Sequence, residues 1–72
     1  SKRNANVSFA RQISMYVVRE ITQMPMVEIG KEFGGRDHST VVYAIQQIEE
    51  KSARDPVTKA TVSDIIKNIR DR

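Results

Sequence analysis

The chain has 72 residues, 39% of them apolar and 29% charged, with a net charge of +3 and no cysteine. Its mean hydropathy is −0.48 and its pI about 9.6. That balance is too apolar for a disordered tail, provides neither a disulfide framework nor a thiolate metal site, and leaves no apolar run near the roughly 20 residues of a membrane-crossing helix. No basic-then-apolar leader is present, and the opening Ser1-Lys2-Arg3-Asn4 without an initiator Met is expected of one small domain within a longer protein.

Charge is distributed unevenly. Residues 1–19 carry Lys2, Arg3, Arg11 and Arg19 and no acid, so all nine acidic residues lie beyond them. A basic end on an otherwise near-neutral domain suits a polyanion, either nucleic acid or an anionic membrane surface, although a merely solvated basic tail has the same composition.

The elements read as helices throughout. From about Asn6 to Thr22, Phe9, Ile13, Val17 and Ile21 recur every four residues, with Tyr16 and Met24 adjoining; Ser8 is the expected N-cap, and Pro25 ends the helix. A short second helix is expected from Met26 to Phe33, with Ile29 and Phe33 inward and Glu28, Lys31 and Glu32 outward, stopped by Gly34-Gly35. Asp37 caps a third helix that turns Val41, Ala44, Ile45 and Ile48 to one face and frays around Lys51–Arg54. Asp55-Pro56 restarts a fourth, with Val57, Val62, Ile65, Ile66 and Ile69 as its buried side, running to near Asp71. No stretch alternates as a strand does, so the expected fold is all-α.

The second and third helices, joined through Gly34, Gly35 and Arg36, have the spacing of a helix-turn-helix with a slightly lengthened turn; Gly30 is small where the second helix of the pair must approach. Helix pairs that bind nothing share this spacing. The polar first turn, Arg36-Asp37-His38-Ser39-Thr40, favours nucleic acid, because a recognition helix reads base edges from its N-terminal residues. A carboxylate can accept from cytosine N4, and hydroxyls can bond bases or phosphates. The same residues would also serve as a capped, hydrated helix start.

The run Gly34-Gly35-Arg36-Asp37-His38-Ser39-Thr40-Val41 resembles the signature of the C-terminal DNA-binding domain of the bacterial DnaA replication initiators. Glu28-Ile29-Gly30, Phe33 and Phe9-Ala10-Arg11-Gln12 fit the same family, so the resemblance covers nearly the whole chain. It implies monomeric binding to the short, asymmetric, double-stranded DnaA box of the TTATCCACA type, and through it initiation of replication at the origin. It also implies a cytoplasmic, nucleoid-associated protein whose other domains include the one that holds ATP, leaving no cofactor in this chain. Residues 1–6 then form a basic loop that places Arg3 in the minor groove, with Lys2 on the backbone. Arg11, Gln12, Arg19, Arg36 and Thr40 fall to phosphate and backbone contacts, and Asp37, His38, Ser39 and Ala44 to base reading. Three departures stand out. Ser39-Thr40 replaces two threonines and lacks one methyl, Asn4 after Arg3 leaves a single arginine for the minor groove, and Met26-Val27 replaces Leu-Pro.

Other function classes fit less well. Asp37-His38-Ser39 has triad residue types, but neighbours on a helix point about 100° apart and are not expected to converge as catalysis requires. A single His without Cys makes no usual zinc site, and Gly34-Gly35 lacks the Lys-Ser/Thr of a phosphate loop. An enzyme and a metal site are therefore not expected. A membrane-surface helix built on Arg11, Arg19, Phe9, Ile13 and Tyr16 would take apolar residues that so small a core needs. A protein-binding helical module and a Trp-repressor-like regulator dimerising on a palindrome are the remaining alternatives.

Overall fold

Four helices form among the described residues, and the first three end where Pro25, Gly34-Gly35 and Asp55-Pro56 stand. The computed structural model describes residues 2–72, with side chains from residue 6 onward. The elements are α1 (Lys2–Thr22), α2 (Met26–Glu32), α3 (His38–Arg54) and α4 (Pro56–Arg70). α3 packs against the other three, α1 does likewise, and α2 and α4 flank them without meeting.

α1 starts earlier than the sequence reading has it. It runs from Lys2, through the segment expected as a basic loop, so Ser8 lies inside the helix and is not its N-cap. No Gly or Pro precedes Pro25, so nothing stops a helix from propagating back from its packed part. The roles expected of Lys2 and Arg3 fall on side chains outside the described ones.

α1 also buries more than its four-residue stripe. Val17 is buried, whereas Phe9, Ile13 and Ile21 are only half-buried, and the most deeply covered side chain on the helix is Met15, at 0% exposure. A helix contacting three others needs a wider apolar arc than one facing a single partner. Met15 joins Ile29, Val41, Ala44 and Ile45 in the central cluster, with Tyr16, Val18, Met24, Met26 and Phe33 packed around it. The unbranched thioether can fill the irregular gap where three helices converge.

α3 buries Val41, Ala44, Ile45 and Ile48, the face its spacing predicts. It does not fray: it stays helical to Arg54, and the Asp55 N–H donates to the Lys51 carbonyl at 2.8 Å. Asp55 then caps α4. Its Oδ1 accepts from the Val57 N–H at 3.1 Å and its Oδ2 from the Thr58 hydroxyl at 2.7 Å. That second bond lets Thr58 face inward at 6% exposure, and the buried stripe becomes Thr58 and Val62 with Ile65 and Ile66 half-buried. Val57, expected inside, is 72% exposed, and Ile69 at the end of the stripe is 44% exposed. The apolar letters of α4 are right, but its register is set by a satisfied threonine.

Candidate nucleic-acid interface

The bend between α2 and α3 is closed by backbone. The Gly30 carbonyl accepts from Phe33 N–H at 3.2 Å and from Arg36 N–H at 2.9 Å, and the Lys31 carbonyl from Gly34 and Gly35 at 3.3 and 3.4 Å. Gly34 and Gly35 have φ of 87° and 77°, a region costly for side-chain-bearing residues. With Ile29 and Val41 fully buried across the bend, the two helices form one rigid pair. This is a helix-turn-helix, and it leaves every residue from Gly34 to Thr40 exposed at the start of α3.

Asp37 organises that start. Its backbone is extended (φ −77°, ψ 167°), so its side chain folds over the first turn of the helix rather than radiating from it. Its Oδ1 accepts three hydrogen bonds, from Thr40 N–H at 3.0 Å, Ser39 Oγ at 2.9 Å and Thr40 Oγ1 at 3.0 Å. Among the described residues nothing donates to Oδ2, which leaves an anionic acceptor at the tip of the helix. The expectation that Asp37 and Ser39 point apart is thereby corrected: they meet because Asp37 lies just outside the helix. His38 is not between them, so the pairing is a cap and not an acid-base-nucleophile relay.

The Thr40 N–H, then the Ser39 and Thr40 hydroxyls, hold the Asp37 carboxyl below its ordinary value of 3.8; for Asp55 the Thr58 hydroxyl comes first and then the Val57 N–H. A carboxylate whose folded pKa is depressed contributes stability that is present above the unfolded value and lost as pH falls through the folded one. The melting temperature is therefore expected to hold between about pH 5 and 7 and to fall progressively below about pH 4. A pH series on the D37N D55N double variant should fall less steeply; equal steepness would remove the caps as the acid-sensitive groups.

The other expected contact residues divide between two elements. Arg36, His38, Ser39 and Thr40 are exposed with Asp37. Arg11 and Gln12 are half-buried on α1, which packs against α3. Arg19, half-buried on the same helix, donates from its Nη1 to the carbonyls of Gln23 at 3.2 Å and Met24 at 2.7 Å. Ala44 is corrected outright. At 2% exposure it lies in the core cluster beside Met15 and Ile29, one of the positions by which α3 is anchored, and its methyl is turned inward.

Sequence reasoning missed Tyr43, 57% exposed on α3, one turn beyond Ser39. The signal was available, since position 43 lies off the Val41–Ala44–Ile45–Ile48 stripe and so on the outward face. Glu49 and Glu50 are exposed farther along the same helix with Lys51 and Arg54, so its C-terminal half carries no net positive charge toward a polyanion.

The fold and this exposed first turn define a DNA-binding helix-turn-helix domain. Residues 1–48 match the family of the bacterial DnaA protein helix-turn-helix, and the chain belongs to that family, which binds DNA in replication initiation. No solved structure matches it. Among the described residues, no three of His, Cys, Asp and Glu group as metal ligands would, and no helix is long and apolar enough to cross a membrane.

Proposed function

We propose that this domain recognises a single double-stranded DnaA box as a monomer and so places a replication initiator at the chromosomal origin. The observation that carries the reading is the capped, exposed turn Arg36–Thr40, bearing the family signature at the tip of a helix-turn-helix. Asp37, through its free Oδ2, with His38 and Ser39 reads base edges in the major groove. Ser39 gives its proton to Asp37, so toward DNA its oxygen presents lone pairs, matched to amino groups on adenine or cytosine; Thr40 spends both its hydroxyl and its N–H on Asp37 and meets the DNA backbone by van der Waals contact rather than by donating to a phosphate. Arg36 and Thr40 sit on the backbone, and Tyr43 extends the contact by one turn. Arg11 and Gln12 on α1 hold phosphates, and the resemblance gives Arg3 the minor groove and Lys2 a backbone contact. The domain hydrolyses nothing, needs no cofactor or metal, and works in the cytoplasm on the nucleoid, with ATP bound by another domain of the full-length initiator.

Fluorescence anisotropy with a DnaA-box duplex and a scrambled duplex, each at two salt concentrations, tests this. Box binding should be tighter at both; equal affinity at both would sink the box assignment and leave only general duplex binding. Within the same assay, Arg11→Ala should weaken both duplexes alike and lower the salt slope by about one unit, since phosphate contacts carry no base information. A loss confined to the box at unchanged slope would move Arg11 out of the phosphate set.

A further inference from the structure

The turn from α1 into α2 is held by more bonds than a loop of its length requires. Gln23 takes φ of 58°, rare for a residue with a side chain. Around it, Arg19 Nη1 bridges the Gln23 and Met24 carbonyls, and the Thr22 hydroxyl donates to the Val18 carbonyl at 2.6 Å while accepting from Met24 N–H at 3.1 Å. Gln23 Nε2 donates to the Glu20 carbonyl at 3.3 Å. Across 50 positions of chain, Arg70 Nη2, at the end of α4, donates to that same Glu20 carbonyl at 3.2 Å.

We propose that Arg19 and Arg70 are positioning residues that clamp the last turn of α1, fixing the angle between α1 and the helix-turn-helix; this rests on the DNA-binding reading above. The phosphate contacts assigned to α1 and the base contacts assigned to α3 lie on different elements and must meet one duplex together. The turn at residues 22–26 is the covalent link that sets their relative placement; Arg19 Nη1 spans it, and Arg70 Nη2 ties the last turn of α1 just before it to the end of α4. Arg19 thus serves the turn, not a phosphate as the resemblance implies. α4 lies outside the 1–48 match to the family, yet it gains a part in recognition without touching DNA.

Two outcomes of substitution separate a phosphate contact from a positioning residue. Losing a phosphate contact lowers the salt slope by about one unit and weakens all duplexes equally. Losing a clamp leaves the slope alone, because no neutralised phosphate is lost, and erodes the box-to-scrambled ratio as the two contact groups fall out of register.

The experiment measures anisotropy of the 72-residue chain, of Arg19→Gln, of Arg70→Gln and of the double variant, on box and scrambled duplexes across a salt series, with melting temperatures alongside. All binding is read well below each melting point. Each single variant should lose box affinity by about three- to tenfold at unchanged slope, and the double variant should lose little more than the worse single, because both act on one turn. A slope lowered by one unit in Arg19→Gln, with Arg70→Gln binding as wild type, makes Arg19 a phosphate contact and overturns the clamp. A lowered melting temperature with wild-type affinity makes both residues structural only, and also overturns it. The wild-type comparison of box with scrambled duplex separately decides the box reading, and the salt slope on the scrambled duplex reads Arg19 whichever way that falls.

Discussion

Asp37→Asn is expected to fold nearly as the wild type while losing about five- to a hundredfold of its discrimination at one C·G pair of the box. The amide oxygen can still accept from Thr40 N–H, and asparagine caps helices as well as aspartate does. What changes is the other oxygen. In the wild type all three local donors converge on Oδ1, and Oδ2 is left as an anionic acceptor facing outward. In asparagine that position becomes an NH₂, a donor facing the cytosine amino group, which is itself a donor. Alanine at the same position removes the cap as well, so it should lower both melting temperature and binding. Binding to boxes varied at each C·G pair, with a melting curve for each variant, separates the two jobs. If Asp37→Asn discriminates fully at every C·G pair, Asp37 serves only as the cap.

Gly30→Ala should be the most damaging single methyl in the molecule. A Cβ on Gly30 would collide with the carbonyl oxygen of Arg36, with the carbonyl carbon at 3.2 Å and Val41 Cγ2 at 3.6 Å behind it. The obstacle is backbone, and that backbone is tied back to Gly30 itself by the Arg36 N–H. Overpacking of this kind costs about 1–3 kcal/mol, out of the roughly 3–5 kcal/mol that so small a disulfide-free core supplies. Because the obstacle is backbone, the upper end of that range applies, and at roughly 4–8 °C per kcal/mol for a domain of this size the melting temperature should fall by about 12–24 °C. Gly34→Ala is the matched control: nothing lies within 4 Å of its Cβ, so only its φ of 87° opposes the change, at about 1 kcal/mol. A Gly30→Ala protein that melts no lower than Gly34→Ala would show that the bend can yield.

The sequence was most legible where structure is local. Pro25, Gly34-Gly35 and Asp55-Pro56 punctuate the chain by their own backbone chemistry, and the Val41–Ala44–Ile45–Ile48 stripe follows from one helix facing one core. Met15 was not legible, because a helix with three partners buries positions that no single stripe contains. The inward turn of Thr58 and the outward turn of Val57 hinge on one hydrogen bond to Asp55, which hydrophobicity alone does not reveal. The site was read in the same uneven way. Asp37 announced its cap, whereas Ala44 was given a base when its place on the buried stripe already argued for the core. Arg19 looked like any cation on a basic helix; only the folded turn shows which carbonyls it serves.

Asp55 ends α3 with its N–H and begins α4 with its carboxylate, so a single residue separates the two helices. Such a joint has almost no torsional slack. A helix whose far end is free can roll about its long axis, and each residue step around that axis is about 100°, so even a modest roll would exchange the side chains presented to a groove for their neighbours. With α4 pinned to α1 at the other end by Arg70, the spare joint behaves as a stop against rolling. The buried face of α3 sets the edge that it offers to DNA, and the short joint at its far end helps to hold that setting. Inserting one glycine between Arg54 and Asp55 would leave every contact residue in place and still blur which of them faces the bases.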